Sequence, residues 1–243
     1  MKRAVVTLCI GDAFNDFAQY SHPTMKRYAE KVQADFVPIT EAKICFEKSR
    51  HFNPLLFEKY QLCDLLDDYD RILFLDTDIL VTPHAPNVFD IVPEDKIGAV
   101  YEDFGSTTTH RRGLIRQVQG YLGELDWYTG FFNSGVMVVS QAHQEGFRCY
   151  EQYGFMDGEY EQTNTNWYLR KIGGEIFELD YKFNFTGLMR VYYGPIHRDA
   201  YFIHYAGGGI VTDVPRIDQI RADYCYFYDK NNYTPETDPL AEL

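Results

Sequence analysis

The chain has 243 residues, 45% hydrophobic and 16% aromatic, which suits one large α/β domain with a real core and excludes a disordered polypeptide. A formal net charge of -13 disfavours nucleic acid and anionic membrane surfaces as partners. A phosphate-bearing substrate would need a divalent cation to be received by so acidic a chain.

The first element is "RAVVTLCI", a continuous apolar run rich in β-branched residues that reads as a buried strand ending at Gly11-Asp12. It is too short for a membrane span, and no small-residue cleavage site follows. A helical stretch around Phe17–Ala34 leads to a short second strand, "DFVPIT". In "NPLLFEKYQLCDLL", Pro54 suits a first helical turn, and Leu56, Tyr60, Cys63 and Leu66 recur on one helical face. Then comes the strand Arg71–Leu75. "KIGAVYE" and "NSGVMVVS" read as strands, with "RRGLIRQVQGYL" as a helix between them. "YEQTNTNWYLRKI" is a helix stopped by Gly173-Gly174. "GEIFELD" and "AYFIHY" are late strands, and "VPRIDQIRADYCYFY" is the last helix. The alternation predicts an open, mostly parallel sheet with helices on both faces, as a single domain over residues 1–230. The polar, proline-bearing tail 231–243 is expected to pack loosely. The five cysteines, Cys9, Cys45, Cys63, Cys149 and Cys225, are odd in number and form no C-x-x-C pair. That usage predicts a reducing, cytoplasmic setting and no structural zinc.

The chemistry-bearing feature is "RILFLDTDILV". In an open α/β sheet ligands bind at the carboxyl ends of strands, where Asp76 and Asp78 stand. Residues i and i+2 of a strand point the same way, so both carboxylates can face one point. They would repel there unless a cation lay between them, and oxygen ligands of this kind suit Mg²⁺ or Mn²⁺. The plainer alternative is that Asp76 caps a turn and Asp78 is solvated. The apolar flanks favour the metal reading, as does His204, which ends the apolar run "YFIHYAGG" before three glycines.

Several segments together resemble the GT-A fold nucleotide-sugar glycosyltransferases, most of all the retaining family 8 type that includes glycogenin and bacterial galactosyltransferases. They are "VVTLCIGDAF", "FEKYQLCDLLDDYDRILFLDTDILV", "FFNSGVMVVS", "EQTNTNWYLRKIGG" and "FIHYAGG", in the family's order across Val5 to Gly208. The resemblance implies a Rossmann-like sheet and metal-dependent transfer from a nucleotide sugar, a UDP-sugar by expectation, to a glycan, protein or small-molecule acceptor. It implies that Asp76, Asp78 and His204 hold Mn²⁺ (or Mg²⁺), and that Leu8 and Phe14 cradle the base. Lys59 matches a lysine that neutralises donor charge, and Arg50 a helper arginine. Asn133 and Ser134 match a segment facing the donor sugar, and Asp126 a reader of sugar hydroxyls. Thr77 and Gly207 complete the donor-binding set, and Glu161 and Gln162 match the pair beside the anomeric carbon.

Three departures stand out. The pair is Glu161-Gln162, where the family usually has Asp-Gln. No Lys or Arg follows His204 until Arg216, so the backbone N–H groups of Gly207-Gly208-Gly209 are the candidates to stand in for a phosphate-binding lysine. Ile10 and Gly11 replace polar residues common in the nucleotide loop. Two rival readings are a haloacid-dehalogenase-type phosphoryl transfer with Asp76 as nucleophile, and a nucleotide-sugar binding protein without turnover. The first expects Thr or Val where this chain has Leu80, and expects the motif after the first strand.

Overall fold

The computed structural model describes residues 1–44, 54–156 and 161–241. Strand β1 (Arg3–Leu8), helix α1 (Asp12–Lys31) and strand β2 (Asp35–Ile39) open the chain. Pro54–Gln61 is a 3₁₀ helix that runs into α2 (Leu62–Asp68), and β3 (Arg71–Leu75), β4 (Ile79–Val81) and β5 (Lys96–Ala99) follow. Next come α3 (Thr108–Leu122), β6 (Val136–Ser140), α4 (Tyr150–Tyr153) and α5 (Glu161–Lys171). Strand β7 (Glu175–Glu178), helix α6 (Gly187–Tyr193), strand β8 (Phe202–His204) and helix α7 (Arg216–Tyr228) complete the domain.

The central sheet has six strands in the order β2-β1-β3-β6-β5-β7. Its pairs are parallel except where β6 meets β3 and β5. The pleat divides the core. Ala4, Val6, Ile72 and Phe74 pack on one face with α5's Trp167, Tyr168 and Leu169. Val5, Leu73 and Leu75 pack on the other with α1's Met25, Tyr28 and Ala29. Helices thus cover both faces, as the alternating pattern predicts.

Two elements differ from expectation. The amphipathic run after Pro54 begins as a 3₁₀ helix in which Phe57 to Gln61 are all buried. The buried residues include an acid, Glu58. Glu58 accepts the Lys43 and Ile44 backbone N–H groups at 2.8 and 3.0 Å and the Gln61 amide at 2.6 Å. The tail is anchored at two points: Leu240 is buried, and Asp238 pairs with Arg198 at 2.5 Å. Loose packing is therefore not what residues 238–240 show. Among the described residues no helix is long and apolar enough to cross a membrane.

Candidate active site

The two aspartates do not lie on one strand. β3 ends at Leu75, and the chain turns through Asp76, Thr77 and Asp78 into β4, which leaves the main sheet and pairs antiparallel with β8. Three contacts fix that corner. The Asp76 N–H donates to the Gly135 carbonyl at 2.8 Å, and the Ile79 N–H to the Asp76 carbonyl at 3.2 Å. The buried Thr77 hydroxyl donates to the Leu8 carbonyl at the end of β1. The carboxylates converge because the turn is pinned, not because a pleat repeats.

The β4–β8 register sets Ile79 opposite His204, which brings the imidazole to the turn. His204 Nε2 lies 3.2 Å from Asp78 Oδ1 and 3.9 Å from Asp76 Oδ2. One ligand atom from each of the three residues fits within 4.8 Å of the others. The other ring nitrogen, Nδ1, faces Asn184 Oδ1 at 2.8 Å, and Asn184 donates to Asn133 Oδ1 at 3.1 Å. A ring so held presents Nε2 to the aspartates, as a metal-ligating histidine does.

Gly135 shows why the "NSG" segment ends in glycine. A Cβ there would collide with the His204 ring, and would come within 2.7 Å of Asp76 Oδ2 and 2.8 Å of Asn133 Oδ1. The space between the ligand groups is kept clear of side-chain carbon. Two carboxylates, an imidazole and that space fit a hard or borderline divalent cation.

Lys59 is buried beside this trio. Its ammonium lies 3.3 Å from Asp76 Oδ1 and 2.6 Å from Glu161 Oε1, and donates to Ser134 Oγ at 3.1 Å. Burial would lower its pKa, but the two carboxylates outweigh burial and raise it. Burial raises the Asp76 carboxyl, with Lys59 and His204 opposing. Burial acts the same way on Asp78, but there His204 and Arg216 win and hold it low. The Ser134 hydroxyl donates to Glu161 Oε1 at 2.7 Å, so one carboxylate oxygen of Glu161 holds both a serine and a lysine.

A second group continues the site. Gln162 donates to Glu102 Oε1 at 3.2 Å and accepts from Asn133 at 3.4 Å. Arg111 on α3 meets Glu102 Oε1 at 2.7 Å. Helix α5 is buried from Glu161 to Leu169 despite its polar sequence, because its side chains bond the surrounding main chain. Asn166 accepts from the Phe132 N–H at 3.1 Å and donates to the Phe132 carbonyl at 2.8 Å, which sets the start of "NSG".

The structure brings together Asp76, Thr77, Asp78, Lys59, Asn133, Ser134, Glu161, Gln162 and His204. Leu8 and Phe14 line a cleft of about 270 Å³ with Phe17, Leu56, Asp76, Thr77, Asp78 and Arg216. Gly207 adopts φ 59 in the exposed loop after β8. Arg50 lies outside the described residues. Asp126 is not brought to the site. It is exposed on the loop after α3, and among the described residues no hydrogen bond or ion pair joins it to Asn133, Gln162 or Glu102. The acid beside Asn133 and Gln162 is Glu102, just past β5. The sequence signal for it was the one that marked Asp76, an acid ending an apolar run. Asn184 and Arg216 gave less warning. The first is a lone amide between phenylalanines, and the second lies beyond the glycine run.

A family model described as glycosyl transferase family 8 matches residues 9–209. The chain belongs to this family. It is a glycosyltransferase, and its fold is that of the GT-A enzymes. Solved structures with the same fold include a glycosyltransferase involved in glycosylation of the major capsid of PBCV-1. That match has a TM-score of 0.60 at 15% identity, over 91% of this chain and 99% of the other. The galactosyltransferase LgtC in complex with donor and acceptor sugar analogs matches with a TM-score of 0.59 at 16% identity, over 98% and 95%. The bifunctional WbbM matches at 0.57 and 17%, over 85% of this chain and 46% of the other. No curated protein sequence matches the chain. Family membership removes the support for phosphoryl transfer at Asp76.

Proposed function

We propose that this glycosyltransferase moves a sugar from a UDP-sugar to an acceptor hydroxyl, with a divalent cation and with retention of anomeric configuration. The observation that carries the reading is the convergence of Asp76, Asp78 and His204 within 4.8 Å, at strand ends and around a glycine that leaves room for an ion. When bound there, Mn²⁺ or Mg²⁺ neutralises the diphosphate and the charge that grows on it as it leaves.

The chain's own groups supply the rest. Leu8, Phe14 and Phe17 offer an apolar wall to the base at the mouth of the cleft. Glu102, Asn133 and Gln162 form a connected set of polar groups suited to sugar hydroxyls. Lys59 places a fixed positive charge beside Asp76, where negative charge accumulates on the leaving group. The Glu161 oxygen that faces the site is already engaged by Lys59 and Ser134, which makes it a poor nucleophile and a good electrostatic support for a positive anomeric centre. Retention then follows from acceptor attack on the face the diphosphate leaves, with the acceptor proton passing to the departing phosphate oxygen.

The test is a panel of UDP-sugars with Mn²⁺ or with chelator, scored for hydrolysis and transfer. Wild type is expected to turn over with metal only, and Asp78→Ala to be inactive. Full activity of Asp78→Ala in chelator would sink the metal-dependent reading.

A further inference from the structure

We propose that Arg216 and a divalent cation compete for Asp78, and that the displaced guanidinium becomes a ligand for the donor diphosphate. The proposal rests on the metal-dependent reading above and adds a residue with two alternative partners. Asp78 uses both oxygens: Oδ1 faces His204 Nε2 at 3.2 Å, and Oδ2 takes the Arg216 guanidinium. An ion ligated by Asp78 would put two positive charges beside that guanidinium, and like charges at such range repel. Arg216 must then yield.

Its surroundings allow the move. Arg216 is the first residue of α7, and its backbone is held firmly. The Pro215 carbonyl accepts the Asp218 and Gln219 N–H groups at 2.9 and 3.1 Å. The buried Gln219 side chain accepts the Ile210 N–H at 2.7 Å and donates to the Val211 and Val214 carbonyls at 2.7 and 2.6 Å, which fixes the loop after the glycine run. The side chain is one-third exposed at the cleft, with its guanidinium 4.8 Å from the Phe17 ring centroid. Its Nε–H is buried and finds no acceptor among the described residues. A base that is fixed and a head whose donors exceed its partners describe a side chain able to change partner.

The alternatives for a phosphate ligand are few by position. Lys59 is engaged by Asp76, Glu161 and Ser134. Between His204 and Arg216 the sequence has no Lys or Arg. Arg216 reaches the same cleft as Asp76 and Asp78, and a guanidinium fork suits two phosphate oxygens at once.

The experiment uses the full chain, with wild type, Arg216→Met and Arg216→Lys checked for equal melting. Mn²⁺ affinity is read by electron paramagnetic resonance without nucleotide. UDP and inorganic pyrophosphate are then titrated calorimetrically at saturating Mn²⁺. In Arg216→Met, Mn²⁺ is expected to bind several-fold tighter, and UDP and pyrophosphate roughly tenfold or more weaker, the loss of a charge-assisted hydrogen bond. Arg216→Lys keeps the charge and is expected to bind Mn²⁺ as wild type does, with an intermediate loss of UDP. Unchanged or weaker Mn²⁺ binding in Arg216→Met overturns the competition, and unchanged UDP and pyrophosphate binding overturns the second role. If wild type binds no Mn²⁺ at all, the metal-dependent reading itself fails. Pyrophosphate binding that depends on Arg216, without any UDP binding, sustains this proposal and removes only the uridine.

Discussion

Two successive residues, His204 and Tyr205, look into different ionic clusters. His204 faces Asp78 and Asp76 in the cleft. The Tyr205 hydroxyl donates at 2.7 Å to Asp223, which also meets Arg198 Nε at 2.8 Å and His197 Nε2 at 3.4 Å, while Arg198 continues to Asp238. The inner cluster is sealed, with Asp223 fully buried and Asp238 1% exposed, and each of its acids has a basic partner. The cleft cluster is open at Asp76 and Asp78, 27% and 18% exposed, and sets three carboxylates against two permanent cations, Lys59 and Arg216. A closed, paired cluster holds a helix and a tail in place. Permanent cations fall one short of carboxylates in both clusters, so access and not charge count separates them, and the open cluster is the one that can admit a cation.

The comparison would break first at its functional end. Asp78→Ala is expected to lower transfer by a hundredfold or more, on the order of the several kcal/mol a Lewis-acid ion supplies. The same variant should melt close to wild type without metal, and lack the upward shift of melting temperature expected of wild type in Mn²⁺. Steady-state kinetics and a thermal melt in Mn²⁺ or chelator check both halves. Loss of fold without metal would mean that the cleft cluster, too, is chiefly structural.

Asp223→Ala tests the other end. Removing the acid takes from Arg198 one of its two carboxylates and leaves the Tyr205 hydroxyl without its acceptor, and breaking a buried pair costs about 3–5 kcal/mol. Chemical denaturation should show that loss. Below the melting range, Mn²⁺ affinity should change little, since His204 keeps its hydrogen bond to Asn184. A large loss of metal affinity in a folded Asp223→Ala would show that the two clusters act as one.

Between these extremes lies Gly135→Ala. The added methyl would meet the His204 ring, Asp76 and Asn133, and overpacking of this kind costs about 1–3 kcal/mol. The expected signature is a modest drop in melting temperature with a disproportionate loss of Mn²⁺ binding, measured on one preparation. Equal metal affinity would mean that the space at Gly135 serves packing alone.

The sequence made one cluster visible and hid the other. β1, β3 and the acids after β3 were readable because apolar runs stop abruptly at charged residues, and a parallel sheet turns that pattern into a site. The ordered segments made Lys59, Asn133, Ser134, Glu161 and Gln162 readable as well. What escaped depended on pairing between distant parts of the chain. Glu102 follows an apolar run as Asp76 does, but it comes beside Asn133 and Gln162 only because β5 lies beside β6, and Arg111 folds over it. Asp126 sits nearer Asn133 in sequence and is exposed on a loop. Arg216 reaches Asp78 because Gln219 folds the intervening loop back, a long-range contact without periodicity to announce it. Asp223 lies in an ordinary-looking helix, and only packing against Tyr205 and Arg198 makes it buried.

The smallest effect concerns acid. Burial alone would raise the Asp223 carboxyl, but the hydrogen bonds and charges of His197 and Arg198 hold it below the usual carboxylate range. A depressed folded-state pKa adds stability above the unfolded value of about 3.9, and that stability is lost as pH falls through the lower folded value. Asp223→Asn lacks the titration. Its deficit against wild type is therefore expected to be constant near neutrality and to shrink as pH falls below ~4, where the unfolded wild-type chain takes up a proton at this position before the folded one does. Urea unfolding of both proteins from pH 7 to pH 3 measures the difference, and taking the difference cancels the other carboxylates. A deficit that stays constant into acid would mean that Asp223 contributes through shape and hydrogen bonding instead of charge, and the inner cluster would then lose its standing as the paired counterpart of the cleft.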